Sequence, residues 1–168
     1  MPQDRTAAIV GIHEYPLRVV GSDISALQIK AASAAKALED AGFAWKDVDA
    51  VYDTGRDQGI GGLGISEDFG FKPSIIDNTS VGGSSFEFHA NHARRMIEAG
   101  KCNLALITYG STSHSDRRAI GTAGATGGGP SNLFRNMEDP WGLTLIGNYA
   151  MVKMRHKHQY GTTDEQFA

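Results

Sequence analysis

Apolar and polar positions alternate along the chain in blocks that predict strands separated by helices. Short apolar runs occupy residues 7–12, 48–52 and 104–109, and another begins at residue 74 and ends at Asp77. Runs of this length are typical of strands that are covered on both faces of a sheet. The pattern therefore predicts four strands, with residues 13–22 forming a loop after the first.

Helical periodicity fills the spaces between these runs. The first predicted helix is capped by Ser22 or Asp23 and ends near Ala41, before Gly42. Its apolar residues recur at helical spacing: Ile24, Leu27, Ala31, Ala34, Ala35 and Leu38. Further helices are predicted over residues 84–99 and 143–160, with a short one near 66–69 and another that begins at Thr162 or Thr163.

Strands that alternate with helices indicate an α/β fold with a mainly parallel, mixed sheet. Regular periodicity is absent from residues 110–141, which include the glycine-rich stretch GTAGATGGGP. We expect one domain over residues 1–168, in which residues 111–141 form an inserted loop or lid over a cleft.

Composition and charge narrow the class of protein. Of the 168 residues, 40% are hydrophobic and 21% are charged, as in an ordinary globular domain. A formal net charge of −3 gives no reason to expect nucleic acid or an anionic membrane surface as a partner. The single cysteine fits a reducing compartment, and no apolar run suits a leader or a membrane span. We therefore expect a cytoplasmic protein.

Two glycine-rich stretches resemble nucleotide-binding loops but lack the context that such loops need. Residues 59–64 satisfy G-x-G-x-x-G, yet they lie beyond the nearest predicted strand and precede no long predicted helix. Residues 121–130 lack the Gly-Lys-Ser/Thr end of a Walker A loop. Neither stretch is therefore interpreted as a phosphate site.

The strongest chemical signal is the turn VGGSS at residues 81–85, between a predicted strand and a predicted helix. Glycines permit a sharp turn, and the free N–H groups of a first helical turn stabilise an oxyanion or a thioester carbonyl. The G-x-S-x-G pattern of a hydrolase elbow is not met. Ser84 or Ser85 is a candidate nucleophile; alternatively, Ser84 caps the helix and Glu87 completes a capping box.

The histidines and the cysteine form no recognisable catalytic or metal-binding set. His89 and His92 lie three residues apart on one predicted helix, without an HExxH motif or companion cysteines, and are interpreted as packing residues. His156 and His158 lie among lysines and arginine, which favours a solvated basic face. Cys102 opens a predicted buried strand and is expected to be inert. No metal site is predicted.

The succession of these segments resembles the N-terminal half of the thiolase superfamily, and within it the sterol-carrier-protein-type thiolases and thiolase-like lipid-transfer proteins of sterol side-chain degradation. The likeness is carried by AAIVGIHEYP, KALEDAGFAWKDVDAVYD, VGGSSFEFHANHARRMIEAGKCNLALITYG and EDPWGLTLIGNYAMVKMRHKHQYGTTDEQFA. Their order and spacing cover nearly the whole chain, although no single motif is decisive. The resemblance implies a layered αβα fold of which this chain is the N-terminal half only.

The resemblance also implies what the elbow lacks. In thiolases, the elbow supplies the acyl-accepting cysteine, and counting back from Ile97 without gaps places Gly83 at that position. Glycine cannot carry an acyl group, so the implied branch is the cysteine-less one, some of whose members are retro-aldolases acting on acyl-CoA thioesters. No catalytic residue is then identified, and coenzyme A enters as part of the substrate without a covalently bound cofactor. The candidate substrate-binding residues are Gly82, Gly83, Ser84, Ser85 and His114.

Partners follow from the same resemblance. Thiolase-like proteins dimerise through the strand that leads into the elbow, here from Ile75 to Val81, and the cysteine-less members pair with a small zinc-ribbon and OB-fold protein. Because the second half of the fold is missing, we expect a fragment or one of two complementing chains, inactive alone. Two alternatives stay open: a non-catalytic scaffold or acyl- or lipid-binding subunit, and a thiolase-type acyltransferase that uses Ser84 or Ser85.

Overall fold

A computed structural model describes residues 6–54, 61–117 and 145–167. The chain divides into two compact units, Met1–Asp116 and Arg117–Ala168. The first unit contains a β-sheet with its helices, and the described residues of the second form a long helix and the turn that follows it.

Within the described ranges, the sheet of the first unit has three parallel strands: β1 at Ala50–Asp53, β2 at Ile75–Asp77 and β3 at Ala105–Thr108. Their order is β2-β1-β3, so that β1 is central and buried along its whole length. The predicted α/β class with parallel pairing is therefore confirmed. The arrangement is consistent with the thiolase-like layered fold that the sequence implied.

Helices cover both faces of this sheet. They are α1 at Ala26–Ala41, α2 at Gly62–Asp68 and α3 at Ser85–Glu98. Successive side chains of a strand point to opposite faces. Val51 accordingly packs in the cluster that contains residues of α1 and α2, whereas Ala50 and Tyr52 pack in the cluster that contains residues of α3. The result is one layer of helices on each side of a central sheet.

The start of α1 differs from the prediction. The N-cap is Ser25, not Ser22 or Asp23, because the Ser25 hydroxyl accepts from Gln28 N while the Gln28 side chain accepts from Ser25 N. This reciprocal pair is a capping box, which satisfies two backbone groups that a helix start leaves open. The predicted end of the helix is confirmed, since Gly42 is the left-handed C-cap with φ of 75°.

The predicted first strand is wrong. Residues 7–12 form no strand, and Ile9 and Ile12 are 88% and 75% exposed. An apolar run is compatible with a strand, but a strand also needs a hydrogen-bonded neighbour, and among the described residues none pairs with this segment.

The glycine-rich region contributes more helix than predicted. The short helix expected at residues 66–69 is α2, which begins at Gly62, and Gly62 packs tightly against β1. A Cβ atom at this position would lie 2.8 Å from Val51 Cγ1, so the close approach of helix to strand requires glycine. Residues 59–60 of the G-x-G-x-x-G pattern lie outside the described residues.

The second unit contains α4 at Leu145–Tyr160, as predicted within the described residues. Gly161 follows with φ of 66°. The helix predicted from Thr162 or Thr163 is instead a single 3-10 turn at Glu165–Phe167. The loop or lid predicted at residues 111–141 lies largely outside the described residues. Its described part is residues 111–117, in which residues 113–117 form a turn.

The basic face predicted on α4 is partly neutralised. Asp164 lies 2.9 Å from Lys153 Nζ and 2.6 Å from Lys157 Nζ. Hydrogen bonds from Lys157 and Lys153, with their positive charges, lower the pKa of Asp164 to about 2. Throughout the described part of the chain, no helix combines the length and apolar character needed to cross a membrane.

Candidate functional site

The candidate site lies where the parallel strands end. The carboxyl ends of the three strands share one edge of the sheet, and ligands of open α/β sheets bind outside this edge. There, β2 continues into the elbow, β1 ends at Asp53 and β3 continues to Tyr109. The sequence prediction of an elbow between β2 and α3 is thus matched by the chain path.

The elbow turns sharply at Gly82. This residue has φ of 84°, in the left-handed region that side chains rarely adopt, and Gly82–Ser84 form a 3-10 turn that leads directly into α3. Residues 81–84 are exposed. The turn therefore lies at the surface, at the N-terminus of a 14-residue helix, and the first backbone N–H groups of a helix have no partner within it.

The two elbow serines have different environments. The Ser85 side chain is fully buried, donates to Gly82 O at 2.6 Å and accepts from Val81 N at 2.9 Å, and so fixes the turn. Ser84 is the exposed N-cap residue, but its side chain makes no capping hydrogen bond. The capping box proposed for Ser84 and Glu87 is therefore wrong, and Ser85 holds the turn instead.

Gly83 has room for a side chain that it does not carry. A Cβ atom built at Gly83 meets no atom within 4 Å, and its φ lies outside the left-handed region. Neither packing nor backbone conformation therefore requires glycine at this position. The space in which an elbow nucleophile would project is open and contains no functional group from this residue.

Cys102 and the elbow lie at opposite ends of the parallel strands. It precedes β3, at the amino ends of the parallel strands, whereas the elbow lies at their carboxyl ends. Its side chain is buried in the cluster with Ala50, Tyr52 and Ala93. Burial, and then the negative charge of Asp49, raise the pKa of its thiol. A buried thiol with a raised pKa is a poor nucleophile.

Asp77 and His92 form a polar pair beside the elbow. Asp77 Oδ1 accepts from the N–H and the hydroxyl of Thr79 at 2.8 and 2.6 Å, and its Oδ2 lies 2.6 Å from His92 Nδ1. Burial alone would raise the pKa of Asp77, but the hydrogen bonds from Thr79 and His92 outweigh it and the pKa is lowered. His92 thus contacts an ionised carboxylate rather than packing only against apolar groups.

His89 and Tyr52 lie beneath the elbow with unpaired polar atoms. His89 Nε2 lies 2.9 Å from Thr79 O and must donate to it, because a carbonyl only accepts. Within the described ranges, neither His89 Nδ1 nor the Tyr52 hydroxyl has a hydrogen-bond partner, and their rings are 5.9 Å apart. Burial, followed by the charges of Cys102, Asp77 and Asp49, raises the pKa of Tyr52 to about 12.

A buried ion pair at the same edge of the sheet was missed by the sequence analysis. Lys30 Nζ of α1 lies 2.8 Å from Asp53 Oδ2, and the Thr108 hydroxyl donates to the same carboxylate at 2.7 Å. All three side chains are buried. The available signal was a lysine within the apolar stripe of α1, together with an aspartate at the end of a buried strand.

The remaining candidate, His114, is not brought to the elbow by any observed contact. It is exposed in the turn at residues 113–117 after β3. In the described ranges, no group of three histidine, cysteine or acidic side chains has the geometry of a metal site. A groove of about 1190 Å³ lies elsewhere, between residues 6–18, α1, α3 and β3, and the elbow residues do not line it.

Comparison with solved structures adds a likeness in fold. The structure described as the Ltp2-ChsH2(DUF35) aldolase matches 94% of this chain with a TM-score of 0.71 and 21% sequence identity. The chain shares its fold with that aldolase chain. It spans only 39% of the length of that chain. At this sequence identity, the likeness concerns the fold alone.

A second solved structure matches a smaller part of the chain. It is a variant of OleA from Xanthomonas campestris with bound lauric acid and lauroyl-CoA. The match covers 54% of this chain and 28% of the OleA chain, with 21% sequence identity and a TM-score of 0.49. No protein-family model matches the chain, and no curated protein matches it.

Proposed function

We propose that this chain is part of a thiolase-like assembly that cleaves or forms a C–C bond next to an acyl-CoA thioester without an acyl-cysteine. The observation that carries the proposal is the elbow itself: residues 81–84 are exposed at a helix N-terminus, and a side chain at Gly83 would meet open space. The only thiol of the chain, that of Cys102, is buried away from the elbow.

Retro-aldol chemistry fits an elbow of this kind. A base removes the proton from the β-hydroxyl group, the bond between the α and β carbons breaks, and a ketone or aldehyde leaves. The bonding electrons form an enolate of the thioester, which is protonated to give the shortened acyl-CoA. Backbone N–H groups at Gly83 and Ser84 would stabilise the enolate oxygen, and no covalent acyl-enzyme is needed.

The substrate class and cofactor belong to the same proposal. Coenzyme A is part of the substrate, and the acyl group is a lipid or sterol side chain, as in the sterol-carrier-protein-type branch. The fold likeness to an aldolase chain supports the lyase direction. Gly82, Gly83, Ser84, Ser85 and His114 stay as the proposed substrate-binding residues.

Assembly with other polypeptides is also proposed. The short edge strand β2 begins the segment from Ile75 to Val81, through which we expect a homodimer to form. A zinc-ribbon and OB-fold protein is the proposed second partner, and the two-component name of the matched aldolase supports a protein partner. We assign the assembly to the cytoplasm.

Two alternatives make different predictions. A non-catalytic scaffold or acyl-binding subunit would bind acyl-CoA without turnover. A thiolase-type acyltransferase would need Ser84 or Ser85 as nucleophile, and the Ser85 hydroxyl is already engaged with Gly82 and Val81. Ser84 is therefore the remaining candidate for that chemistry.

The test is an assay of the full assembly with a β-hydroxyacyl-CoA. The proposal predicts release of a ketone or aldehyde together with the shortened acyl-CoA, at a rate unchanged after iodoacetamide treatment. Binding without any product would favour the scaffold. Transfer of the acyl group to a second thioester with a Ser84-dependent burst would favour the acyltransferase.

A further inference from the structure

One face of α3 carries a row of three polar side chains that contact the chain entering the elbow. Ser85, His89 and His92 lie at helical spacing, so they are neighbours along one side of the helix. Ser85 and His89 are fully buried, and the His92 side chain is 36% exposed. Buried helix positions usually carry apolar residues, so this polar row requires an explanation.

The two histidines of the polar row hold the first part of the segment that enters the elbow. His92 Nδ1 lies 2.6 Å from Asp77 Oδ2 at the end of β2, and His89 Nε2 donates to Thr79 O at 2.9 Å. Asp77 Oδ1 in turn accepts from the N–H and the hydroxyl of Thr79. Residues 77–79 are therefore fixed to α3 at two points.

Ser85 holds the turn itself. Its hydroxyl accepts from Val81 N at 2.9 Å and donates to Gly82 O at 2.6 Å. Residues 78–81 belong to no strand or helix, so side-chain contacts here satisfy backbone groups that strand pairing would otherwise satisfy. The path of the chain into Gly82 is therefore set by side chains of α3.

An apolar side chain would fill the space occupied by His89 at a lower free-energy cost. The ring is fully buried, and within the described ranges its Nδ1 has no hydrogen-bond partner. A leucine would retain most of the packing but could not donate a hydrogen bond to Thr79 O. The hydrogen bond is therefore the property that distinguishes histidine at this position.

We propose that the polar row of α3 positions the N–H groups of the elbow, and that His89 does so through the carbonyl group of Thr79. Backbone N–H groups at a helix start have no partner within the helix, and they stabilise negative charge only when they point at the atom that carries it. Their direction at Gly83 and Ser84 depends on how residues 79–82 meet the helix. The inference rests on the proposed function, in which these groups stabilise an enolate oxygen.

The thiol of Gly83→Cys measures the direction of these groups without requiring catalysis. A thiol at a helix N-terminus has a lowered pKa when N–H groups point at its sulfur. Ultraviolet absorbance of the thiolate follows its titration, and the unaltered chain, whose single thiol is buried at Cys102, supplies the baseline. The pKa of the introduced thiol should lie below the ordinary value of a cysteine.

Further substitutions in the Gly83→Cys chain test the polar row. His89→Leu and Ser85→Ala each remove hydrogen bonds to the segment, and each should raise the titration midpoint of the introduced thiol by about one pH unit. His89→Gln is the matched control, because its amide can donate to Thr79 O, and it should leave the midpoint nearly unchanged. Asn91→Ala, at an exposed position of the same helix, should do the same. Urea unfolding shows whether each variant is folded at the pH of the titration.

An unchanged midpoint in folded His89→Leu or in folded Ser85→Ala would overturn the proposal, and so would an equal rise in His89→Gln. An ordinary pKa for the thiol of Gly83→Cys would overturn it as well, because the elbow would then stabilise no negative charge.

The proposed reaction can fail separately from this inference. If the full assembly releases no product from a β-hydroxyacyl-CoA while the thiol still responds to His89→Leu, the reaction is wrong and the positioning of the elbow stands. If product forms, His89→Leu should lower kcat at least about tenfold with a smaller change in KM, and His89→Gln should restore it. A kcat that His89→Leu leaves unchanged would contradict the positioning role.

Discussion

Gly82 and Gly83 are adjacent, yet the structure requires glycine only at the first of them. Gly82 has a left-handed backbone, whereas Gly83 has an ordinary conformation and open space around it. The sequence predicted the elbow, because glycine pairs between a strand and a helix are a strong signal, whereas the placing of Gly83 at the nucleophile position is what the family resemblance implies. The sequence could not tell which glycine the turn depends on, since that depends on the backbone angles.

Alanine substitutions at these two positions should have opposite effects on stability. Gly82→Ala forces a side chain into the left-handed region and should lower the free energy of unfolding by about 1–2 kcal/mol. Gly83→Ala should leave it unchanged or raise it by about 0.4–1 kcal/mol, because it restricts the unfolded chain. Urea unfolding of both variants measures the difference. Equal stabilities would mean that the turn at Gly82 is not left-handed.

Tyr52 should make the stability depend on pH in the alkaline range. Its pKa in the folded chain is about 12, above the ordinary value of 10.0. Below pH 10 both states keep the proton; between 10 and 12 only the unfolded state loses it, so the free energy of unfolding falls as pH rises through this range. Tyr52→Phe should flatten this fall and cost little at pH 7, since the hydroxyl has no partner among the described residues.

The exposed Tyr149 provides the control for that measurement. Tyr149→Phe should leave the pH dependence between 10 and 12 as it is in the unaltered chain, because its side chain is largely in water. If both variants show the same pH profile, the burial of Tyr52 does not perturb its ionisation.

At the scale of elements, the sequence predicted most helices and strands but not their pairing. The covered-strand pattern of residues 7–12 is real, but the structure leaves the segment beside an open groove instead of in the sheet. The cap at Ser25 could have been recognised, since Ser25 and Gln28 have capping-box spacing. The wrong prediction of a strand at residues 7–12 could not have been recognised from the sequence, because pairing depends on which segments meet in space.

The ion pair between α1 and β1 should be the most sensitive contact between elements. Lys30→Met leaves the Asp53 carboxylate buried without its cation and should lower the free energy of unfolding by about 3–5 kcal/mol. The matched control is Lys36→Met on the same helix, where the ion pair with Glu39 is exposed to solvent and should contribute little to the free energy of unfolding. Thermal or urea unfolding compares the two. If the free energy of unfolding falls equally little in both variants, the ion pair between Lys30 and Asp53 is not buried in solution.

At the scale of the whole molecule, the fold class predicted from the sequence agrees with the structure, whereas the polar contacts around the elbow are known only from the structure. The order of segments predicted an α/β arrangement, and the match to the aldolase chain covers 94% of the residues. The polar groups around the elbow, such as the Asp77–His92 pair, could not be predicted, because they come from elements whose contacts are set by packing.

The central claim is that the elbow works without a covalent acyl-enzyme, and intact-mass spectrometry after incubation with a reactive acyl-CoA tests it most directly. The account predicts an unchanged mass for the natural chain and one hydroxylamine-sensitive acyl group on Gly83→Cys, whose thiol would project into the open space at the helix N-terminus. An acyl group found on Ser84, Ser85 or Cys102 of the natural chain would contradict it.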